Sequence, residues 1–430
     1  MNALKIKSYH VESLGCAKNQ VDSELLMGRL EAAGMSRTSP ETARLIIVNS
    51  CGFIESAKRQ SINTLLELRR ANPRAKIILT GCLAKRYEEE LRQTLTEADV
   101  VCATIDAALE AAALDGLSPK DGAALEGRRP LLSANGSAYV KIAEGCGNRC
   151  SFCAIPLMRG PLVSRSVTSI LEEITALTNR GVREICLVAQ DTASFGTDTA
   201  GRPLLGELLS GISAMRGDFW LRLLYLHPDH FPLEILDVMG GDSRILPYFD
   251  IPFQHASEKI LRKMGRYGSS GRYLELVARI RAALPGAVLR STFLAGFPGE
   301  DESDFRALRR FQEEAALEWM GVFSYSREEG TAAYDMGAQP SKSVARKRAA
   351  ALEKAQVPIS CTALEHFVKR ELSVLVEARL ETGLYLGRAY LHAPEVDGAV
   401  IIESKKTLET GVFTTVKVTS RKQFNLYATA

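Results

Sequence analysis

The stretch Glu144-Gly145-Cys146-Gly147-Asn148-Arg149-Cys150-Ser151-Phe152-Cys153 sets three cysteines at C-x-x-x-C-x-x-C spacing, directly after a strand-like run at residues 138–143. Three thiolates so close on one loop can hold a cubane 4Fe-4S cluster and leave one iron open to an exogenous ligand. A structural zinc site needs a fourth donor nearby. The next cysteine is Cys186, and no histidine stands between the motif and His227, which disfavours zinc.

Downstream of the motif a strand-helix unit repeats. Strands are expected near 138–143, 184–190, 220–226, 248–254, 288–295 and 320–325, separated by amphipathic helices such as Ile170 to Asn179 and Asp301 to Glu314. Six such units predict a partial (β/α)6 barrel over residues 136–364, with its chemistry at the C-terminal strand ends. Those ends carry Cys146, Gln190-Asp191, Tyr225 with His227, Gln254-His255, Gly296 and Tyr325-Ser326. Residues 341–370 read as helix, broken once near Pro358. Beyond it ELSVLVEARL, LYLGRAYLHA, GAVIIES, GVFTTVKVTS and FNLYATA alternate with period two. These five short strands predict a small antiparallel barrel of the OB type over residues 365–430.

Upstream, residues 116–135 are rich in Gly, Ser and Pro and read as a linker. Residues 1–115 alternate apolar runs with helical segments, the pattern of a parallel α/β sheet domain. Runs from Ser8, Arg44 and Lys76 end at Gly15-Cys16, Ser50-Cys51 and Gly81-Cys82. In an open parallel sheet the strand-to-helix turns share the ligand-binding edge, and helix N-termini there favour thiolates. Cys16, Cys51 and Cys82 are thus expected to form one trio. A cysteine ending a buried strand is equally well a small apolar residue, and Cys102 occupies a fourth turn of the same kind.

Composition narrows the classes. Nine cysteines, 54 Lys+Arg and 51 Asp+Glu leave a formal charge of +3, too little for a nucleic-acid coat. No signal peptide or membrane span is visible, and the protein is expected to be cytoplasmic, where clustered cysteines bind metal more often than each other.

The motif spacing, Phe152 and the β/α repeat together resemble the radical S-adenosylmethionine superfamily. With Ser-Leu-Gly-Cys16-Ala-Lys-Asn, Asn-Ser-Cys51-Gly-Phe, Thr-Gly-Cys82 and the terminal barrel (a TRAM domain), nearly the whole chain is similar to its methylthiotransferases. Gly15 to Glu24, Val188-Ala189-Gln190-Asp191-Thr192, Leu224-Tyr225-Leu226-His227-Pro228 and Ala393 to Gly398 resemble the RimO type within that family. The resemblance implies an enzyme with two 4Fe-4S clusters, one on Cys146, Cys150 and Cys153 and one on Cys16, Cys51 and Cys82. It implies two uses of S-adenosylmethionine. One molecule methylates sulfide held on the N-terminal cluster; the other, at the first cluster, yields a 5'-deoxyadenosyl radical that takes a β-hydrogen from an aspartate of a small-subunit ribosomal protein. It also implies an electron donor of the flavodoxin or ferredoxin class.

The alternative substrate is an adenosine in tRNA. The terminal barrel, with 9 Lys+Arg and 8 Asp+Glu in residues 365–430, is too nearly neutral to favour it. A one-cluster enzyme and a non-enzymatic iron-sulfur RNA-binding module are further alternatives. Tyr385, Tyr390, Phe413, Phe424 and Tyr427 are expected mainly to fill the barrel core. Phe152, Gln190, Asp191, Gly296 and Gly299 are the expected S-adenosylmethionine contacts, although Gly296 to Glu300 also reads as a tight turn before a helix. His255, Cys102, Cys186 and Cys361 read as buried structural residues, and Arg149 and Arg159 as flanking positive charge for the cluster loop.

Overall fold

The computed structural model describes residues 7–112 and 127–430; residues 116–126 of the expected linker lie outside them. The N-terminal sheet comprises β1 (Ser8–Ser13), β2 (Ser36–Arg37), β3 (Leu45–Ser50), β4 (Lys76–Gly81) and β5 (Val100–Val101) in the order β2-β1-β3-β4-β5. All of its ladders are parallel. In this order the topological switch point lies between β1 and β3, where doubly wound sheets place their ligands. Cys16 and Cys51 follow those two strands.

The central sheet runs β13-β12-β11-β10-β9-β6, six parallel strands: β6 (Ser137–Lys141), β9 (Glu184–Val188), β10 (Trp220–Leu223), β11 (Ile245–Asp250), β12 (Val288–Ala295) and β13 (Trp319–Ser324). A two-stranded ribbon, β7 (Ala143–Glu144) with β8 (Val163–Ser164), brackets the cysteine loop. One face of the sheet, with Val140, Ile185, Leu187, Leu221, Leu223, Phe249 and Phe293, packs on the helices. Helix Val167–Asn179 shows why: Ile170, Ile174 and Leu177 recur at helical spacing and are all buried, each contributing about 1.5–3 kcal/mol. The other face, with Tyr139, Cys186, Val188, Leu246, Tyr248 and Val288, meets the terminal barrel and helix Ala17–Ala32.

Three expectations shift. The fourth strand of the central sheet starts at Ile245, not 248, because a bulge opposite Leu221 to Leu223 absorbs Pro247. Helix Lys342–Glu365 runs through Pro358 unbroken, since Gln356 donates to the Leu317 carbonyl and Ser360 to the Glu318 carbonyl, each at 2.7 Å, pinning the helix on both sides. The terminal barrel of β14 (Glu371–Glu381), β15 (Leu384–Ala389), β16 (Val400–Glu403), β17 (Phe413–Lys422) and β18 (Asn425–Thr429) closes through a parallel β16-β18 pair, the other ladders being antiparallel.

Of the barrel aromatics only Tyr385 is fully core. Phe413 packs on Trp220, and Phe424 on Trp319, so they seat the barrel on the central sheet. The tail of the expected linker is likewise anchored. Arg129 is fully buried between Glu24 of the N-terminal domain and Glu173 of the central one.

Candidate metal centres

The loop from Cys146 to Cys153 is fixed from below by the turn after helix Glu258–Lys263. Ser151 N–H donates to the Met264 carbonyl (3.0 Å) and its hydroxyl to the Lys263 carbonyl (2.7 Å). Gly145 has φ +68° and lies against the Gly160 and Pro161 carbonyls, so no side chain fits there. Asn148 N–H donates to Cys146 Sγ at 3.4 Å. Burial pushes the Cys146 thiol up, and pushes Cys153 up to about 12, with the other cysteines of the loop adding to both. Thiolates are costly here until a cation takes their charge, which is what a cluster does.

The second trio is assembled at the switch-point edge. A Cβ on Gly15 would stand 2.8 Å from Cys51 Cβ and 2.9 Å from its Sγ, and one on Gly52 would meet the Leu83 backbone at 2.7 Å, so these glycines let the turns close on one another. Asn19 knits them, its amide donating to the Leu14 and Ser50 carbonyls at 2.8 and 3.0 Å. Burial raises the Cys51 and Cys82 thiols, Cys51 to about 11, and each lies in the field of the other cysteines of this trio. Cys16 is the exposed member. The protein around its sulfur still displaces water and so acts to raise it, but Lys18, the Asn19 N–H and Arg159 together outweigh that and hold it below the ordinary thiol value.

No three His, Cys, Asp or Glu side chains among the described residues converge as the ligands of a single ion do. A cubane asks for less, since each of its cysteines binds a different iron. The donor set of each trio is thiol alone, and both fit such a cluster. Cys102, by contrast, packs in the sheet core, its thiol raised to about 11 chiefly by burial. Cys186 is buried as well, whereas Cys361 is only half-buried.

The two trios face each other. Cys82 packs against Ala154, the residue after Cys153, and against Met158. Arg159, ending the short helix Ile155–Arg159, donates from Nε to Cys82 Sγ at 3.2 Å, pairs with Asp22 at 2.6 Å and Glu144 at 3.2 Å, and reaches the Asn19 side-chain oxygen. A role for Arg159 as loop charge was legible in the sequence; its reach across the domain gap was not. Lys18 lies over the Tyr225 ring, 3.5 Å from its centroid, and Lys58 and Arg86 pair with Glu328 beyond β13 at 3.0 and 2.8 Å. The N-terminal domain therefore sits on the C-terminal strand ends of the central sheet.

The remaining candidates separate. Asp191 binds the cluster loop to the second strand end, accepting from the Asn148 amide (2.8 Å), the Ser194 hydroxyl (2.6 Å) and the Ala193 N–H (3.0 Å). Gln190 is half-buried beside it. Phe152 meets Phe297 edge-on, with centroids 6.5 Å apart. Gly296 and Gly299 both have positive φ, but the close neighbours they admit are Ala345 and the Lys263 ammonium. His255 is fully buried and accepts the Ser257 N–H through Nδ1. Arg149 is exposed.

Residues 140–311 match the radical SAM superfamily, residues 368–430 the TRAM domain, and residues 8–103 an uncharacterized protein family, UPF0004. Among solved structures, the radical S-adenosylmethionine methyltransferase TsrM from Kitasatospora setae superposes with TM-score 0.55 at 16% identity, covering 75% of each chain, and so shares the fold. These define a radical S-adenosylmethionine enzyme with a capping sheet domain and a terminal TRAM barrel. The ribosomal protein uS12 methylthiotransferase RimO of Treponema denticola is 41% identical, covering 97% of this chain and 99% of that one. The RimO of Aquifex aeolicus is 43% identical over 97% and 95%. The chain belongs to the RimO family of radical S-adenosylmethionine methylthiotransferases.

Proposed function

We propose that this enzyme adds a methylthio group to the β-carbon of an aspartate in ribosomal protein uS12, in the cytoplasm, using two 4Fe-4S clusters and two molecules of S-adenosylmethionine. Residues 1–115, 136–364 and 365–430 would form its functional units, and a flavodoxin- or ferredoxin-class protein would supply electrons. The observation that carries the reading is the contact of Cys82 with Ala154 and Met158. It brings one thiol trio against the loop of the other, as transfer between two centres requires.

Cys146, Cys150 and Cys153 would hold the cluster that binds S-adenosylmethionine, with Phe152, Gln190, Asp191, Gly296 and Gly299 as its surroundings; Cys16, Cys51 and Cys82 would hold the other. Bound there, a reduced cluster and S-adenosylmethionine supply a hydrogen-abstracting carbon radical, chemistry that no acid or base side chain offers. The chain's own part is positioning. Asn148 and Asp191 hold the loop to the sheet, Arg159 ties the segment after that loop to Cys82, and the N-terminal domain covers the strand ends. No helix among the described residues is long and apolar enough to cross a membrane.

The test is mass spectrometry of uS12 from cells with and without this gene, paired with nucleoside analysis of their tRNA. The expected result is one methylthio group on one aspartate, lost with the gene, and about eight iron and eight sulfide per anaerobically reconstituted chain. A change confined to tRNA would overturn the substrate, and about four iron per chain would overturn the two-cluster reading.

A further inference from the structure

Lys18 is a buried cation without an acceptor. It is the second residue of helix Ala17–Ala32 and only 5% exposed, at a helix end whose dipole already disfavours positive charge and whose first turn holds no acidic residue. Among the described residues no carboxylate pairs with its ammonium and no oxygen accepts from it; its contact is the face of Tyr225. An ammonium has three donors, and no oxygen of the described residues meets any of those of Lys18, which leaves them to solvent or a ligand. Of the nearby charges, the Cys16 thiol lies in the field of the ammonium without a hydrogen bond to it, and the others are engaged elsewhere. Arg159 serves Cys82, Asp22 and Glu144. Lys141 serves Asp22 and Glu144. Asp250 accepts the Tyr225 N–H at 3.3 Å and faces Arg290 at 3.9 Å.

The location is specific. Lys18 leaves the N-terminal domain two residues after Cys16 and ends on a residue of the central domain, so it crosses the gap between the two domains. Tyr225, at the C-terminal end of β10, holds φ +64°, a conformation that non-glycine residues keep only where the surroundings impose it. At the start of the same helix a groove of about 360 Å³ opens, lined by Gly15, Cys16, Ala17 and Gln20 together with the carboxylates Glu12 and Glu395. We infer that the Lys18 ammonium, held on the Tyr225 ring, binds the side-chain carboxylate of the residue to be modified. This rests on the aspartate reading above and adds to it the group that recognises the acid.

The experiment uses the reconstituted full-length enzyme and a peptide spanning the aspartate found by mass spectrometry, together with its Asp→Asn counterpart. Affinities of both peptides are measured for the native enzyme and for Lys18→Met, which keeps length and removes charge. The native enzyme is expected to prefer the aspartate peptide by on the order of tenfold or more. In Lys18→Met that preference should collapse, through weaker binding of the aspartate peptide alone, compared at matched iron content. Retained preference overturns the inference. So does equal weakening of both peptides together with an altered cluster spectrum, which would make Lys18 a counter-charge for the cluster. If uS12 carries no modified aspartate, the underlying reading fails first, and the two failures are distinguished.

Discussion

Arg159 is the side chain that ties the Cys82 turn to the segment following the Cys146 loop. It is 11% exposed, and its guanidinium contacts Asp22, Glu144, Asn19 and Cys82 at once. A planar fork with five donors can serve that many acceptors, which an ammonium cannot. Arg159→Ala would leave the Asp22 carboxylate with Lys141 alone and strip Cys82 of its donor. Breaking a buried ion pair by removing one partner costs about 3–5 kcal/mol, so the urea midpoint should fall accordingly. On the proposed two-cluster reading, iron should drop from about eight toward about four per chain while the spectrum of the Cys146 loop cluster survives. Arg159→Lys should recover part of the stability and little of the bidentate geometry. Among single residues, the placing of six cysteines on one loop and in three strand-to-helix turns was legible because spacing and turn position are local signals. Lys18 and Arg159 were not, because their meaning lies in partners 207 and 77 residues away, Tyr225 and Cys82, which no periodicity reveals.

At the scale of elements, Glu184 clamps three strands. It opens β9, pairs with Arg222 of β10 at 2.8 Å and with Arg388 of β15 at 2.5 Å, and so ties the central sheet to the terminal barrel. Burial acts to raise its carboxyl, but Arg388 and Arg222 outweigh that and hold it at about 2. Its folded value is therefore depressed. The stability it contributes is present above the ordinary value of 4.5 and is lost as pH falls toward about 2. His392, in the same contact, is held down to about 3 by burial, then by Arg388 and Arg222. It stays neutral in the fold, and its contribution fades from about pH 6.5 downward. Urea midpoints should thus decline from pH 6.5 to 2, most steeply below 4.5. Glu184→Gln should remove the steep part and cost about 3–5 kcal/mol at neutral pH, since buried Arg222 loses its carboxylate and Arg388 keeps only Glu377. Most strands and helices followed from period and from Gly or Pro punctuation. Proline was the exception: Pro247 lies within a strand at a bulge, and Pro358 within a helix whose neighbouring hydrogen bonds are tertiary. Sequence-local rules cannot anticipate either, and the parallel β16-β18 closure likewise depends on how the barrel is completed.

For the whole molecule the decisive relation is the seating of the N-terminal sheet on the central strand ends. Glu328, 2% exposed, receives Arg86 at 2.8 Å and Lys58 at 3.0 Å from the opposite domain, and its other oxygen accepts from the Ser326 hydroxyl at 2.7 Å. Arg86 also donates to the Glu329 carbonyl, so one short segment past β13 anchors the domain near Cys51 and Cys82. On the proposed reading each half of the chemistry has its own cysteines and transfer needs both in register, where misplacement by about 1 Å can cost about a hundredfold in rate. Glu328→Gln keeps shape and removes the charge that two cations share. Cleavage of S-adenosylmethionine, which needs only the Cys146 loop and the central sheet, should continue near its native rate. Methylthio transfer to uS12 should fall by on the order of a hundredfold, and hydrogen exchange should speed up in residues 51–58 and 82–86. Measuring 5'-deoxyadenosine and modified uS12 in one reaction reads both quantities. Parallel loss of both products would mean that the central domain depends on this seat for its own integrity, and undiminished transfer would mean that the contact between Cys82, Ala154 and Met158 aligns the centres without it.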